Sequence, residues 1–89
     1  MNKIFKYKLE LTDIQILRMP KDASILSAQF QFGTLFLWAL VDPDKDEVER
    51  RIRIIGTGHP IDNINNLSHI DTVQQAGGTF IWHVFEEWR

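Results

Sequence analysis

Apolar and polar residues alternate along most of the chain, and this period of two is typical of β-strands with one buried face. Every second residue from Phe5 to Leu11 is apolar, with a lysine or a glutamate between, so the pattern predicts a half-buried strand there. A shorter strand is predicted over residues 14–17. It ends by Pro20, because proline cannot donate a hydrogen bond to a neighbouring strand.

The middle of the chain predicts a hairpin. Residues 24–32 alternate again. The pattern places four of them on the inward face: Leu26, Ala28, Phe30 and Phe32. Gly33-Thr34 then separates two apolar runs, which favours a two-residue type II′ turn. Residues 35–41 are apolar at every position, so we expect this strand to be covered on both faces in the middle of a sheet.

Three further strands are predicted in the second half. They span residues 47–55, 69–75 and 79–86. The last two are expected to pair as a hairpin around Ala76-Gly77-Gly78, and residues 61–67 predict an irregular loop or one helical turn. Six or seven short strands without a long helical period predict an all-β fold, namely a small antiparallel sandwich or partly open barrel with at most one short helical turn. A chain of 89 residues is expected to form a single domain over residues 1–89.

Charge and composition argue against several classes of function. The net charge is −2 and the isoelectric point about 5.8, whereas proteins that bind nucleic acid by bulk electrostatics are expected to be basic. Cysteine is absent, which excludes disulfides and thiolate zinc sites and suits a reducing cytosol. The first residues lack the apolar core of a secretory signal, and the longest apolar run, residues 35–41, is too short to span a bilayer. We therefore predict a cytoplasmic protein that does not bind membranes.

The segment Gly56-Thr57-Gly58-His59-Pro60 is the most conspicuous local motif. A dinucleotide fingerprint needs a third glycine and a helix, and a phosphate-binding P-loop needs Gly-Lys-Ser/Thr, so neither motif fits. Two interpretations remain open. The amides of residues 56–58 could bind an anion, or the two glycines could simply allow a sharp turn with positive φ.

Arg51 and Arg53 follow each other on one face of the strand predicted over residues 47–55. Two guanidinium groups in this position match a phosphate or a carboxylate, although Glu47 and Glu49 could equally neutralise them on a solvated face. Because the arginines adjoin the glycine-rich segment, one anion site is predicted from both. Its residues are Arg51, Arg53, Gly56, Thr57, Gly58 and His59.

Histidines and a carboxylate offer a second kind of chemistry. His59, His69 and His83 with Asp71 could ligate a metal, but no spacing such as H-E-x-x-H supports one. If Gln75 faces Thr79, Asp71 lies opposite His83 and a hydrogen bond between them is expected. A two-residue loop would separate the pair. No nucleophile motif is present, so we predict neither a catalytic site nor a metal or cofactor, and hence no enzyme.

Large aromatic residues predict an interface. Three tryptophans and six phenylalanines are more large rings than so small a core must hold, so some are expected at a surface that meets a partner or a second copy of the chain. Residues 80–85 are apolar on both faces, which indicates a central strand or one covered by a partner. The candidate interface residues are Trp38, Trp82 and Trp88.

Several segments also resemble known sequences. They are residues 3–7, 19–21, 25–27, 37–43, 56–61, 71–74 and 77–86. Together they are similar to a family of small bacteriophage-encoded proteins described only as a domain of unknown function, and Gly-Thr-Gly-His-Pro at 56–60 is the most specific element. The resemblance implies an accessory phage gene expressed in a bacterial cytoplasm, and it implies no catalytic residues.

A binding function is therefore expected. The first hypothesis is an inhibitor of a host bacterial protein, for example a component of a defence system, that acts through exposed tryptophans. The alternative is an oligomeric sponge that sequesters a small anionic ligand, such as a signalling nucleotide, at the predicted arginine and glycine site.

Overall fold

Seven strands form two antiparallel sheets in a computed structural model that describes residues 1–88. The strands are β1 (Lys3–Leu9), β2 (Ile14–Pro20), β3 (Ser24–Gln31), β4 (Thr34–Val41), β5 (Glu47–Gly56), β6 (Leu67–Gln75) and β7 (Phe80–Glu87). Two 3-10 turns, Ile64–Asn66 and Ala76–Gly78, are the helical segments of this part of the chain. The all-β prediction is confirmed, except that the second turn exceeds the single helical turn expected.

The two sheets pack as a sandwich and do not close into a barrel. The three-stranded sheet has the order β1-β4-β3, and the four-stranded sheet has the order β2-β5-β7-β6. In β4 every second side chain is buried, and these residues pack with Met19, Ile52 and Val84 of the other sheet in a common core. The apolar strands β4 and β7 both lie between neighbours, as their sequences predict.

The hairpin of β3 and β4 differs from its prediction in two details. Gln31 pairs with Thr34, so the loop residues are Phe32 and Gly33, not Gly33 and Thr34. Their φ angles are 51° and 82°, and positive values at both positions define a type I′ turn rather than type II′. Phe32 is therefore fully exposed at the loop tip, and its predicted inward placement is wrong.

A β-bulge changes which side chains of β3 face the core. The register shifts between Ile25 and Ser27, because an extra residue on one strand breaks the alternation. Leu26 is consequently 50% exposed, so its predicted inward placement is also wrong. Beyond the bulge, Ala28 is buried and Phe30 packs against the core, as predicted.

The connection from β5 to β6 runs along β7. Both strands pair antiparallel with β7, so they are parallel to each other and need a crossover connection. Residues 57–66 make this crossover from the Trp82 end of β7 to its Glu87 end, and their side chains bond to the outward face of the sheet at three points. These bonds are Thr57 to His83, Asp62 to Arg53 and Asn63 to Glu87.

A largely buried ion pair lies between the sheets. Arg50 Nη2 donates to Glu86 Oε1 over 2.9 Å, and Arg50 Nε donates to Glu86 Oε2. Arg50 Nη1 also donates to the carbonyl of Ala23 over 2.9 Å. The hydrogen bonds that Arg50 donates to Glu86 raise the pKa of Arg50 above its ordinary value even though burial lowers it. The pair thus ties β5 to β7 and to the turn before β3.

No helix in residues 1–88 has the length and hydropathy needed to cross a membrane.

Candidate functional site

Arg53 already has anionic partners within the chain. Its side chain is 7% exposed, and its guanidinium lies 3.2 Å from Asp13 Oδ1, 2.9 Å from Asp62 Oδ1 and 3.2 Å from Glu87 Oε1. Burial lowers the pKa of Arg53, but the hydrogen bonds to these carboxylates together raise it above its ordinary value. An external anion would have to compete with three carboxylates for this guanidinium.

Arg51 lies on the same face but in different surroundings. It pairs across the strands with Ile16 and Glu87, so the predicted shared face of Arg51 and Arg53 is present. Its Nε is buried and has no hydrogen-bond partner among residues 1–88. The two arginines therefore do not form a pair of free guanidinium groups side by side.

The glycine-rich segment forms a tight turn. His59 N–H donates to the carbonyl of Gly56 over 3.1 Å, and Thr57 N–H donates to the carbonyl of Ile81 over 3.2 Å. Gly58 has a φ of 88°, which the third position of a type II turn requires. Because the amides of Thr57 and His59 are both used within the chain, few amides here are left to bind an anion.

Gly56 is needed because two aromatic rings approach its backbone closely. A Cβ atom at this position would lie 3.2 Å from the His59 ring and 3.3 Å from Cζ3 of Trp82. The imidazole of His59 therefore lies against the backbone of Gly56, next to the indole of Trp82. None of the hydrogen bonds found in residues 1–88 involves the His59 ring, so packing alone holds it there.

Two clefts flank the His59 ring at this end of the sandwich. One, of about 320 Å³, lies between the β1–β2 connection at residues 11–13 and the His59-Pro60 corner. The other, of about 310 Å³, lies toward Thr79 and Phe80. Trp82 lines both clefts, and its ring is stacked on Phe80 at a centroid distance of 6.4 Å and an interplanar angle of 26°. Volumes near 300 Å³ are at the lower end of the range for small-molecule sites.

Asp71 and His83 are separated, because the last hairpin adopts the second of the two registers that the sequence left open. Gln75 pairs with Phe80, not Thr79, because the loop of the last hairpin holds four residues. Asp71 therefore faces Val84 and His83 faces Thr72. His83 Nδ1 is 3.0 Å from Thr72 Oγ1, and Nε2 is 2.7 Å from Thr57 Oγ1, while Asp71 accepts from the amides of Ala28 and Thr72. The expected hydrogen bond between Asp71 and His83 is thus replaced by a pair of threonine contacts.

The three histidines considered as metal ligands lie in two separate places. His69 Nε2 lies 2.9 Å from Thr72 Oγ1 and His83 shares the same hydroxyl, whereas His59 packs on Gly56 near Trp82. Within residues 1–88 no group of three histidine, aspartate or glutamate side chains is placed to hold a metal ion.

The three tryptophans do not share one surface. Trp82 is partly buried and its indole N–H donates to Gln75 Oε1 over 2.9 Å. Trp88 lies at the other end of β7, where its N–H donates to Ser68 Oγ over 2.8 Å and its ring lies 5.8 Å from the Arg50 guanidinium. Trp38 is on the outward face of the three-stranded sheet, opposite Lys6.

The outward face of the three-stranded sheet is apolar at its centre. We call this surface the aromatic face; it consists of Phe36, Trp38 and Leu40 on the central strand β4, flanked by Ile4 and Lys6 on β1 and by Gln31 on β3. The rings of Phe36 and Trp38 are 6.2 Å apart, and Ile4 is 60% exposed. Lys6 lies across the face, with its ammonium 4.0 Å from the centre of the Phe36 ring and bonded to Gln31.

The sequence indicated part of this surface. Alternation shows that β4 is apolar on both faces, but it cannot show that no helix or further sheet covers the outward one. The cleft residues 11–13 were missed altogether, since nothing local in the sequence brings them next to Trp82.

Comparison with known proteins identifies the family. The family model of a domain of unknown function (DUF7352) matches residues 1–89. No curated protein and no solved structure matches the chain. The chain therefore belongs to this family of unknown function.

Proposed function

We propose that this member of the family acts by binding another protein, with the aromatic face as its contact surface. The observation that carries the proposal is the uncovered outward face of the three-stranded sheet, where Ile4 and Leu40 are 60% and 38% exposed beside the half-buried Trp38. Tryptophan is among the residues that dominate binding energy at protein interfaces, and an exposed apolar patch with a polar rim is typical of such sites.

The charge of the sheet indicates the chemistry of the partner. None of β1, β3 and β4 contains an aspartate or glutamate, whereas β1 places Lys6 and Lys8 on the same face as Trp38 and Phe36. This basic sheet belongs to a chain of net charge −2. A second copy presenting the same face would bring lysines together, so charge complementarity favours a partner protein with an acidic rim around an apolar centre.

A more specific form of the proposal concerns the biological role. The resemblance to bacteriophage-encoded proteins supports a partner in the bacterial host, and an inhibitor of a defence component is the role we favour. Phage plating on bacteria that carry such a defence system, with and without the chain, tests this role. Rescue of plating that Trp38→Ala abolishes is the expected result.

The binding surface itself is tested with a purified partner. After capture from bacterial lysate and identification, its affinity for the wild-type chain and for variants is measured by calorimetry. Trp38→Ala is expected to weaken binding by about 30-fold, since interface tryptophans often contribute about 2 kcal/mol or more. Lys6→Glu should also weaken it, because the rim of the partner is expected to be acidic.

Trp88→Phe is the matched control, because Trp88 lies outside the aromatic face. If Trp38→Ala and Lys6→Glu bind as tightly as wild type while circular dichroism shows them folded, the aromatic face is not the contact surface. A dimer in native mass spectrometry that Trp38→Ala dissociates would instead identify a second copy as the occupant and would contradict the acidic-partner proposal.

The alternative of an anion sponge has less support. Its key cation, Arg53, is occupied by Asp13, Asp62 and Glu87, and two amides of the glycine-rich turn are used internally. Native mass spectrometry of the protein purified gently from bacterial cytoplasm tests this alternative. A retained anionic ligand that Arg51→Ala releases would favour the sponge.

A further inference from the structure

We infer that the two clefts beside His59 form one site for a planar heteroaromatic group that carries N–H donors, such as a purine base. This site is separate from the aromatic face, and its occupation does not depend on the proposed protein partner.

The His59 imidazole occupies the place that such a group would take. It is a flat ring that lies on the backbone of Gly56 beside the indole of Trp82. Since no hydrogen bond within residues 1–88 holds this ring, and the side chain is exposed, it can leave its position at little cost. Its departure would join the two clefts, because Gly56, His59 and Trp82 line both of them.

The walls of the joined site suit an aromatic ligand. Trp82 and Phe80 provide stacked rings on one side, and Leu11 and Ile54 add apolar surface. Stacking on aromatic side chains is a main source of affinity for nucleobases. A planar ring is therefore favoured over a flexible chain.

The polar rim selects the rest of the ligand. Asp13 lines the first cleft, and its carboxylate is 72% exposed. Arg53 engages only Oδ1 among the hydrogen bonds of Asp13, which leaves Oδ2 as an acceptor for an N–H group. No lysine or arginine lines either cleft within the described residues, so phosphate groups gain nothing here. The favoured ligand is thus the base or nucleoside, not the phosphorylated nucleotide.

Nuclear magnetic resonance titration of the full chain tests the site. The probe is adenosine, and the matched probe is N6,N6-dimethyladenosine, which keeps the ring but lacks the amino N–H donors. Adenosine should shift the amide signals of Gly56 and His59 and the indole signal of Trp82 in a saturable way. The dimethyl probe should bind at least about tenfold more weakly, because a hydrogen bond to a carboxylate is lost.

Two variants with opposite expected effects on adenosine binding test whether the ligand takes the place of the imidazole. Gly56→Ala places a methyl group where the ring must lie, so adenosine binding should be abolished. His59→Ala empties the same place, so binding should be retained or strengthened. If His59→Ala abolishes binding, the imidazole is not displaced and the inference fails.

A further pair controls for changes in folding. Asp13→Asn and Asp62→Asn each remove one carboxylate from Arg53, but only Asp13 lines a cleft. Asp13→Asn should weaken adenosine binding by about tenfold, and Asp62→Asn should leave it unchanged. Equal effects of the two variants, or no saturable shift at these residues with any probe, would overturn the inference.

A second titration distinguishes a base within a nucleic-acid strand from a free nucleoside. A short single-stranded oligoadenylate that shifts the same signals at lower concentration than adenosine supports the site and identifies a base within a strand as its occupant. Tighter binding of adenosine supports the site and identifies a free nucleoside.

Discussion

Replacing Glu86 by leucine should destabilise the fold far more than removing an exposed carboxylate. The change leaves the charge of Arg50 between the sheets with the Ala23 carbonyl, the Met19 sulfur and the face of Trp88 as partners, and none of these is a carboxylate. The two side chains of the pair are 13% and 7% exposed. Breaking a buried ion pair by removing one member typically costs about 3–5 kcal/mol. Because Arg50 keeps its hydrogen bonds to the Ala23 carbonyl and the Met19 sulfur and some contact with water, we expect the lower end, about 3 kcal/mol.

Urea unfolding at pH 7, followed by tryptophan fluorescence and circular dichroism, measures this loss. With a slope of about 1–1.5 kcal/mol per molar urea for a domain of this size, the midpoint should fall by roughly 2–3 M. The control is Glu49→Leu, which removes the exposed partner of Arg18, where both side chains are more than half exposed. That change should alter the unfolding free energy by no more than about 1 kcal/mol.

The double variant Arg50→Met with Glu86→Leu separates the charge from the packing. It removes both members, so no uncompensated charge remains, and replacement of a whole buried pair by apolar residues is often neutral. Most of the lost unfolding free energy should return. If Glu86→Leu is no worse than Glu49→Leu, or if the double variant is as unstable as the sum of its single changes, the pair does not stabilise the fold in the way described.

Two further predictions concern the crossover along β7 and the β3–β4 turn. Asp62 and Glu87 have pKa values below their ordinary ones, because Asp62 accepts a hydrogen bond from Arg53 and Glu87 accepts one from Asn63. The contribution of these two carboxylates to the unfolding free energy is therefore complete above about pH 5 and is lost as the pH falls through the lowered pKa values. Urea midpoints measured between pH 2 and 7 should fall less steeply for Asp62→Asn than for wild type. Phe32→Asn should raise the unfolding free energy by about 0.5–1 kcal/mol, because asparagine tolerates the left-handed conformation of a type I′ turn better than phenylalanine does. Thermal unfolding measures this gain. A lower melting temperature for the variant would contradict the prediction and would mean that the Phe32 ring makes stabilising contacts.

The alternation of apolar and polar residues was enough to predict the strands, but it could not predict where a bulge or a turn breaks the pattern. The period of two correctly gave the shared face of Arg51 and Arg53 and the central positions of β4 and β7. It failed at Leu26, where a bulge adds one residue and reverses the faces on one side of it. It also failed at Phe32, because Gly33 suits either type of tight turn and the hydrogen-bond register decides between them.

The surroundings of the predicted anion site depend on residues that are distant in sequence. Arg53 is neutralised by Asp13, Asp62 and Glu87, which come from three separate segments. Only the crossover along β7 brings Asp62 back over β5, and no local pattern reports that path. The same holds for the cleft beside His59, whose other wall comes from residues 11–13.

The position of β7 constrains the order in which the four-stranded sheet can be completed during synthesis. β7 is the last strand along the chain, yet it lies between β5 and β6 and supplies the hydrogen bonds that join them. A nascent chain that has emerged only to residue 79 can assemble the three-stranded sheet and pair β2 with β5, but β6 has no strand to pair with in its own sheet. The crossover likewise lacks its side-chain contacts with β7, at His83 and Glu87. Half of the four-stranded sheet therefore forms only after the eight residues of β7 have emerged, and until then the apolar inward face of the first sheet has only a partial cover.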